Sequence, residues 1–296
     1  MAIKYAYHPG NVAHSGSPEV AESMVPLIKS LGIKLTYLDG ATSCGAGIIR
    51  QVNQKLQLTL NARIFAQAES LGMGILTPCA STAGNLSEDL FLLKSNPILL
   101  AEINEVLLKT CGLEFSGETS VNHLLHVIVD EIGLEKIKPM VVNPIDFRVA
   151  SYYGPNIQQD GFCGDDDVYD PNYMEQLIQT LGGEPISWDS RTQSVGAPSL
   201  LSEELTVLKQ AASVLNDAKS EGAQMIVSAC NLSHSVLDIY QGKASQRTGL
   251  KTNIPVVHLC EILSFALGHY NTRYAQLRTR VSVSYTHLPL PTNREV

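Results

Sequence analysis

At 296 residues, 44% hydrophobic and only 17% charged, the chain is long enough for two domains and apolar enough for a sizeable core, which excludes disorder. A formal charge of −8 without any basic run argues against nucleic acid and anionic membrane surfaces as partners. No run reaches the ~20 apolar residues of a bilayer span, and Met1 to Tyr7 is strand-like rather than a signal peptide, so a cytoplasmic protein is expected, with its six cysteines reduced or metal-bound.

Short apolar runs alternate with longer segments of 3.6-residue period, the pattern of βαβ units around a mostly parallel sheet. Ile3 to Tyr7 reads as a strand. Ser17-Pro18 opens a helix that Gly32 closes. Ile33 to Leu38 is the next strand, and Ile49, Val52, Leu56, Leu60, Ile64, Ala68 and Leu71 mark one face of a long helix. Gly74 to Thr77 is a buried strand. Amphipathic runs follow at Ile98 to Leu108 and Val121 to Ile132. The order then recurs: strand Phe147 to Tyr153, helix Tyr173 to Leu181, strand Ile186 to Trp188, a helix faced by Leu201, Leu205, Leu208, Ala212, Leu215 and Ala218, and strand Met225 to Ser228.

The recurrence keeps register. Ser43-Cys44-Gly45-Ala46 answers to Ser194-Val195-Gly196-Ala197, and Cys79 and Thr82 answer to Cys230 and Ser233 at the same separation. A repeat of this length means two copies of one supersecondary unit. The expected fold class is α/β, with two pseudo-repeated βαβ modules and a helical insert between them. Residues 1–84 form the first copy, 85–140 the insert and 141–270 the second copy. Residues 283–296 lack periodicity and read as a non-native tail, which leaves the natural carboxyl terminus missing.

In each copy three loops follow strands and should converge on the carboxyl edge of the sheet, where ligands bind. They are His8-Pro9-Gly10-Asn11, Ser43-Cys44-Gly45 and Pro78-Cys79-Ala80-Ser81-Thr82, then Tyr153-Gly154-Pro155, Ser194-Val195-Gly196 and Ala229-Cys230-Asn231-Leu232-Ser233. The spacing resembles the cysteine-rich CCG-domain family, which includes the B subunit of heterodisulfide reductase and a subunit of some succinate dehydrogenases. The family module runs Cys, Cys-Cys-Gly, Cys-x-x-Cys and is usually present twice. The likeness extends from Met1 to about Tyr240.

That resemblance implies non-cubane [4Fe–4S] clusters, with ligand positions at Asn11, Ser43, Cys44, Cys79 and Thr82 in the first copy. In the second they fall at Pro155, Ser194, Val195, Cys230 and Ser233. Thiols survive only at Cys44, Cys79 and Cys230, whereas clusters are normally held by four thiolates. The clusters are therefore expected to be absent or incomplete. His8 and His14 flank Asn11 and, with Cys44 and Cys79, would make a Cys₂His₂ set suited to zinc; the alternative is that the histidines are surface residues. His234 shares a helix face with Cys230. Cys163 is a candidate replacement for the ligand lost at Pro155. Asp165-Asp166-Asp167 reads as a cation site or a solvated acidic loop. Cys111 and Cys260 read as core residues.

By resemblance the chain is a subunit of a heterodisulfide reductase-like or succinate dehydrogenase-like complex, an oxidoreductase family. Its partners would be iron–sulfur or flavin subunits, and its place the cytoplasm, peripheral to the membrane through a partner. Whether this chain itself catalyses is left open. The rivals are a non-catalytic scaffold whose cleft persists without clusters, and a zinc protein.

Overall fold

The computed structural model describes residues 3–45, 48–162 and 164–269. The tail from Val283, Ala46, Gly47 and Cys163 lie outside the described residues.

The first half runs β1 (Ile3–Tyr7), α1 (Pro18–Ser30), β2 (Ile33–Tyr37), α2 (Ile48–Ser70), β3 (Gly74–Thr77), α3 (Ala80–Ser95), α4 (Pro97–Cys111), β4 (Val121–His123) and α5 (Leu124–His126). A π-helical turn, Val127–Ile132, and α6 (Leu134–Ile137) lead to the second half. That half runs β5 (Arg148–Tyr152), α7 (Tyr173–Thr180), β6 (Glu184–Pro185), α8 (Glu204–Ser220), β7 (Met225–Ser228), α9 (Asn231–Ile239), α10 (Gln241–Thr248), β8 (Val256–His258) and α11 (Leu259–Ala266).

The strands form two four-stranded sheets, ordered β2-β1-β3-β4 and β6-β5-β7-β8. Every pairing is parallel, and the central strands are buried on both faces, as helix-covered parallel strands are. The expected α/β architecture is thus present, and the two halves share one strand order. One apolar cluster includes Tyr5, Cys79, Leu124, Tyr153, Cys230 and Leu263, so it draws on both halves.

The repeat also holds in small hydrogen bonds. Gly45 N donates to Ser43 Oγ at 3.2 Å, and Gly196 N to Ser194 Oγ at 3.1 Å. Cys79 N donates to Thr77 Oγ1 and Cys230 N to Ser228 Oγ, both at 3.3 Å. Leu125 N donates to His123 Nδ1 and Cys260 N to His258 Nδ1, both at 3.2 Å.

Several local expectations are corrected. The stretch 85–140 is helical through α4 and then returns to the first sheet as β4, so Val121 starts a strand rather than a helix. In both halves two helices and a fourth strand follow the cysteine loop; the first-half helices are simply longer. In α2 the backbone breaks at Asn53 (φ −156°, ψ 92°), whose Oδ1 caps Leu56 N. The break resets the helical phase. Val52 is 86% exposed, Leu56 and Leu71 are exposed too, and the buried face carries Leu58, Ala62 and Phe65. Leu201 precedes α8 and is solvent-exposed. Ser17 makes no cap hydrogen bond to α1; its hydroxyl donates to Asn231 O at 3.1 Å, across to the second half.

Candidate functional site

The first-copy loops converge as the parallel topology requires. Asn11 leaves the carboxyl end of β1, Ser43 and Cys44 follow β2, and Cys79 stands at the N-cap of α3, two residues past β3. The Asn11 side chain lies at their meeting point. Its Nδ2 donates to Cys44 Sγ at 3.2 Å and to Ser81 Oγ at 3.3 Å. Its Oδ1 accepts from Ser43 Oγ at 2.8 Å and lies 3.4 Å from Cys44 Sγ. Its backbone N–H donates to Thr82 Oγ1, which is also 3.7 Å from Cys44 Sγ. The first-copy positions Asn11, Ser43, Cys44 and Thr82 therefore meet in one hydrogen-bonded knot.

In the second copy Pro155, Ser194, Val195 and Ser233 line a single small cavity of about 30 Å³. Ser81 of the first copy lines it as well. Cys230 is buried at the N-cap of α9, and the buried Tyr152 ring occupies the same region, its hydroxyl donating to Gln193 O at 2.7 Å.

The two cysteine loops are stitched to each other. Ala80 N donates to Ala229 O at 3.0 Å. The ring of His123 bridges them, with Nε2 3.1 Å from Pro78 O and 3.0 Å from Ala229 O. Because Nδ1 accepts from Leu125 N, these partners assign the neutral tautomer with the proton on Nε2. Burial, helped by the neighbouring His126, lowers the His123 pKa to about 4. His126 is lowered to about 4 by burial as well.

Cys79 and Cys230 lie side by side between these loops, each bearing on the other's ionisation, and both are reduced. Burial opposes ionisation of Cys79, but hydrogen bonds from Cys230, Ser81 and Thr82 outweigh it and hold its thiol well below the usual range. The Cys79 side chain, with burial, pushes Cys230 up.

The zinc set is not assembled. His14 is exposed, and both His8 ring nitrogens have backbone partners: Nε2 lies 2.9 Å from Thr42 O and Nδ1 accepts from Gly10 N. Among the described residues no group of three His, Cys, Asp or Glu side chains could hold a metal ion. Asp166 serves the fold, its carboxylate accepting from the backbone of Asp167, Asn172 and Tyr173 at the start of α7. His234 does share the α9 start with Cys230, yet its Nε2 faces Glu19 Oε1 of α1 at 3.1 Å. Cys260 is buried as expected, whereas Cys111 is exposed. Ser81 and His123 are the site residues that the motif spacing did not mark. The recurrence of Val121-Asn122-His123-Leu124 as Val256-Val257-His258-Leu259 is the signal that could have found the histidine.

Residues 5–87, the first copy, match the cysteine-rich CCG domain. Over 270 residues the chain is 28% identical to the 8-methylmenaquinol:fumarate reductase membrane anchor subunit of Wolinella succinogenes, covering 90% of this chain and 93% of that protein. It is 26% identical over 274 residues to the B subunit of the ferredoxin/F(420)H(2)-dependent CoB-CoM heterodisulfide reductase of Methanosarcina acetivorans, covering 90% and 89%. The crystal structure of a hypothetical protein from Helicobacter pylori shares the fold, with a TM-score of 0.75 at 18% identity over 95% of this chain. This chain spans about half (52%) of that one. The resemblance read from the motif spacing is thereby borne out.

The donor chemistry at the converged positions does not fit a family cluster. The first copy offers thiols at Cys44 and Cys79, an amide and two hydroxyls; the second offers Cys230, two hydroxyls, a proline and a valine. Amides and hydroxyls are far weaker iron donors than thiolates, and the neutral side chains of Pro155 and Val195 offer none.

Proposed function

We propose that this chain is a subunit of a redox complex related to heterodisulfide reductase and to the 8-methylmenaquinol:fumarate reductase, and that it serves there without the family's clusters. The curated relatives supporting the complex are named as subunits and match over nine tenths of this chain. One observation carries the cluster-free reading: the Asn11 amide stands at a family ligand position and is hydrogen-bonded to Ser43, Cys44 and Ser81. A knot of neutral groups fills the place where thiolates would have to gather.

In this reading the chain presents the paired-module scaffold to iron–sulfur or flavin subunits, which carry the electrons. It works in the cytoplasm. Any membrane attachment comes through a partner. No helix among the described residues is long and apolar enough to cross a bilayer.

The test is affinity purification of the tagged chain from its native host without oxygen, with iron and acid-labile sulfide measured on the chain and on whatever accompanies it. Co-purifying redox subunits, with iron assigned to them, support the reading. A solitary chain overturns the complex, and near-integral iron and sulfide on the isolated chain overturn the loss of clusters.

A further inference from the structure

Cys79 and Cys230 come from different halves of the chain and meet in its interior. Each stands at the N-cap of the helix that follows its sheet's third strand. Their loops are held together by the Ala80 to Ala229 hydrogen bond and by His123, which reaches the carbonyls preceding both cysteines. Both thiols are buried, so no folded partner reaches them. What does reach their neighbourhood is the second-copy cavity. Ser81, whose hydroxyl is 3.2 Å from Cys79 Sγ, lines it together with Ser194 and Ser233. At about 30 Å³ it has space for about two water-sized positions, ~10–15 Å³ each. That is room for a polar molecule of two heavy atoms and too little for a disulfide-bearing substrate.

We propose that Cys79 and Cys230 form a peroxide-reactive dithiol that closes to an intramolecular disulfide. Cys79, the thiol in contact with the cavity-lining Ser81, attacks one peroxide oxygen. The O–O bond breaks, a sulfenic acid forms on Cys79, and the departing oxygen leaves as water with the thiol proton. Cys230 then attacks the sulfenic sulfur, the S–S bond forms, the S–O bond breaks and a second water leaves. Two thiols are oxidised by two electrons, and one hydrogen peroxide is reduced to two waters. A dithiol reverses the change by exchange once unfolding opens the buried pair to it. The proposal rests on the reading that neither cysteine holds a cluster.

Full-length C111S protein, which lacks the thiol that is exposed among the described residues, is purified without oxygen and treated with equimolar hydrogen peroxide. It is then alkylated in denaturant and mapped by mass spectrometry. The expected product is a Cys79–Cys230 linked peptide that dithiothreitol reopens. With C79S added, peroxide consumption slows by about tenfold or more. With C230S added, Cys79 is trapped as a sulfenic acid that dimedone captures when the protein is unfolded in its presence. Should either variant fail to fold, the linkage map of C111S decides alone. Iron-free protein in which the two thiols stay alkylatable, or in which either pairs with Cys163 or Cys44, overturns this proposal and leaves the cluster-free reading standing. Near-integral iron and sulfide in the same preparation overturns both.

Discussion

The side-chain amide of Asn11 donates to the sulfur of Cys44 across 3.2 Å, joining two loops that lie 33 residues apart in sequence. That amide is buried and serves Ser43 and Ser81 as well, so truncating it strands several polar groups at once. Asn11→Ala is expected to lower stability by about 1–3 kcal/mol. Urea unfolding of the full chain measures this. An unchanged midpoint would mean that solvent already serves these groups.

If the family positions converge as the contacts indicate, thiols placed there should recover the lost chemistry. The variant carrying Asn11→Cys, Ser43→Cys and Thr82→Cys, beside the native Cys44 and Cys79, is expected to take up iron and sulfide on anaerobic reconstitution, while the wild type does not. Iron and acid-labile sulfide per chain are the readout. Failure of this variant to bind iron, with folding intact, would show that the loops meet in a different geometry from the family's.

The parallel α/β architecture was legible because strand and helix periods alternate cleanly and the turn residues recur in register. What misled was local. Val52 and Leu56 fit a single helical stripe, but Asn53 can cap the helix it interrupts, and that break rotated the buried face onto Leu58 and Phe65. Ser17 has the sequence context of a helix cap; tertiary structure gave its hydroxyl a partner in Asn231 and Ser235. Cys111 followed apolar residues, yet it closes α4 on the solvent side. At the site, the spacing marked the loops that carry Asn11, Ser43, Cys44 and Cys79, but not the end of β4, where His123 stands. It could not show that Asn11 would knit those loops together, nor that Cys79 and Cys230 would meet, because pairing between the two modules leaves no periodic trace in sequence.

His123 supplies a pH test. Burial holds its folded pKa near 4, below the reference value of 6.5, so the fold favours the neutral ring. The stabilisation is fully present above 6.5 and is lost as pH falls through that value towards 4. The shift corresponds to about 3 kcal/mol for this one group. His123→Gln keeps an amide N–H for Pro78 and Ala229 and removes the titration. Its stability is expected to fall less steeply than the wild type's between these pH values, while His123→Phe loses about 1–3 kcal/mol even at neutral pH. The carboxyls of Asp166 and Glu175, which burial raises, act with the opposite sign. They are common to all three proteins, so the difference between unfolding curves isolates His123. Parallel curves for wild type and His123→Gln would remove its role.

Gly10 and Gly154 hold matching places, each one residue before a position that the family resemblance marks as a ligand, and each has a positive φ, +93° and +66°. Their surroundings differ. A Cβ on Gly10 would lie 2.5 Å from Cys79 Cβ and 3.0 Å from Asn231 Nδ2, both fixed by the packed junction of the two modules. On Gly154 the nearest atom is the Tyr152 ring at 3.4 Å, an ordinary contact. Gly154→Ala therefore meets only the backbone penalty of a left-handed residue, about 1–2 kcal/mol. Gly10→Ala adds overpacking to that same penalty, for a total of about 3–5 kcal/mol. The clash falls on Cys79, so Gly10→Ala should also expose that cysteine to alkylation in the native protein, while Gly154→Ala leaves it protected. Thermal unfolding and native-state thiol labelling of the two variants test the pair together. Equal losses of stability, or equal labelling, would mean that the first-copy loop does not press against Cys79.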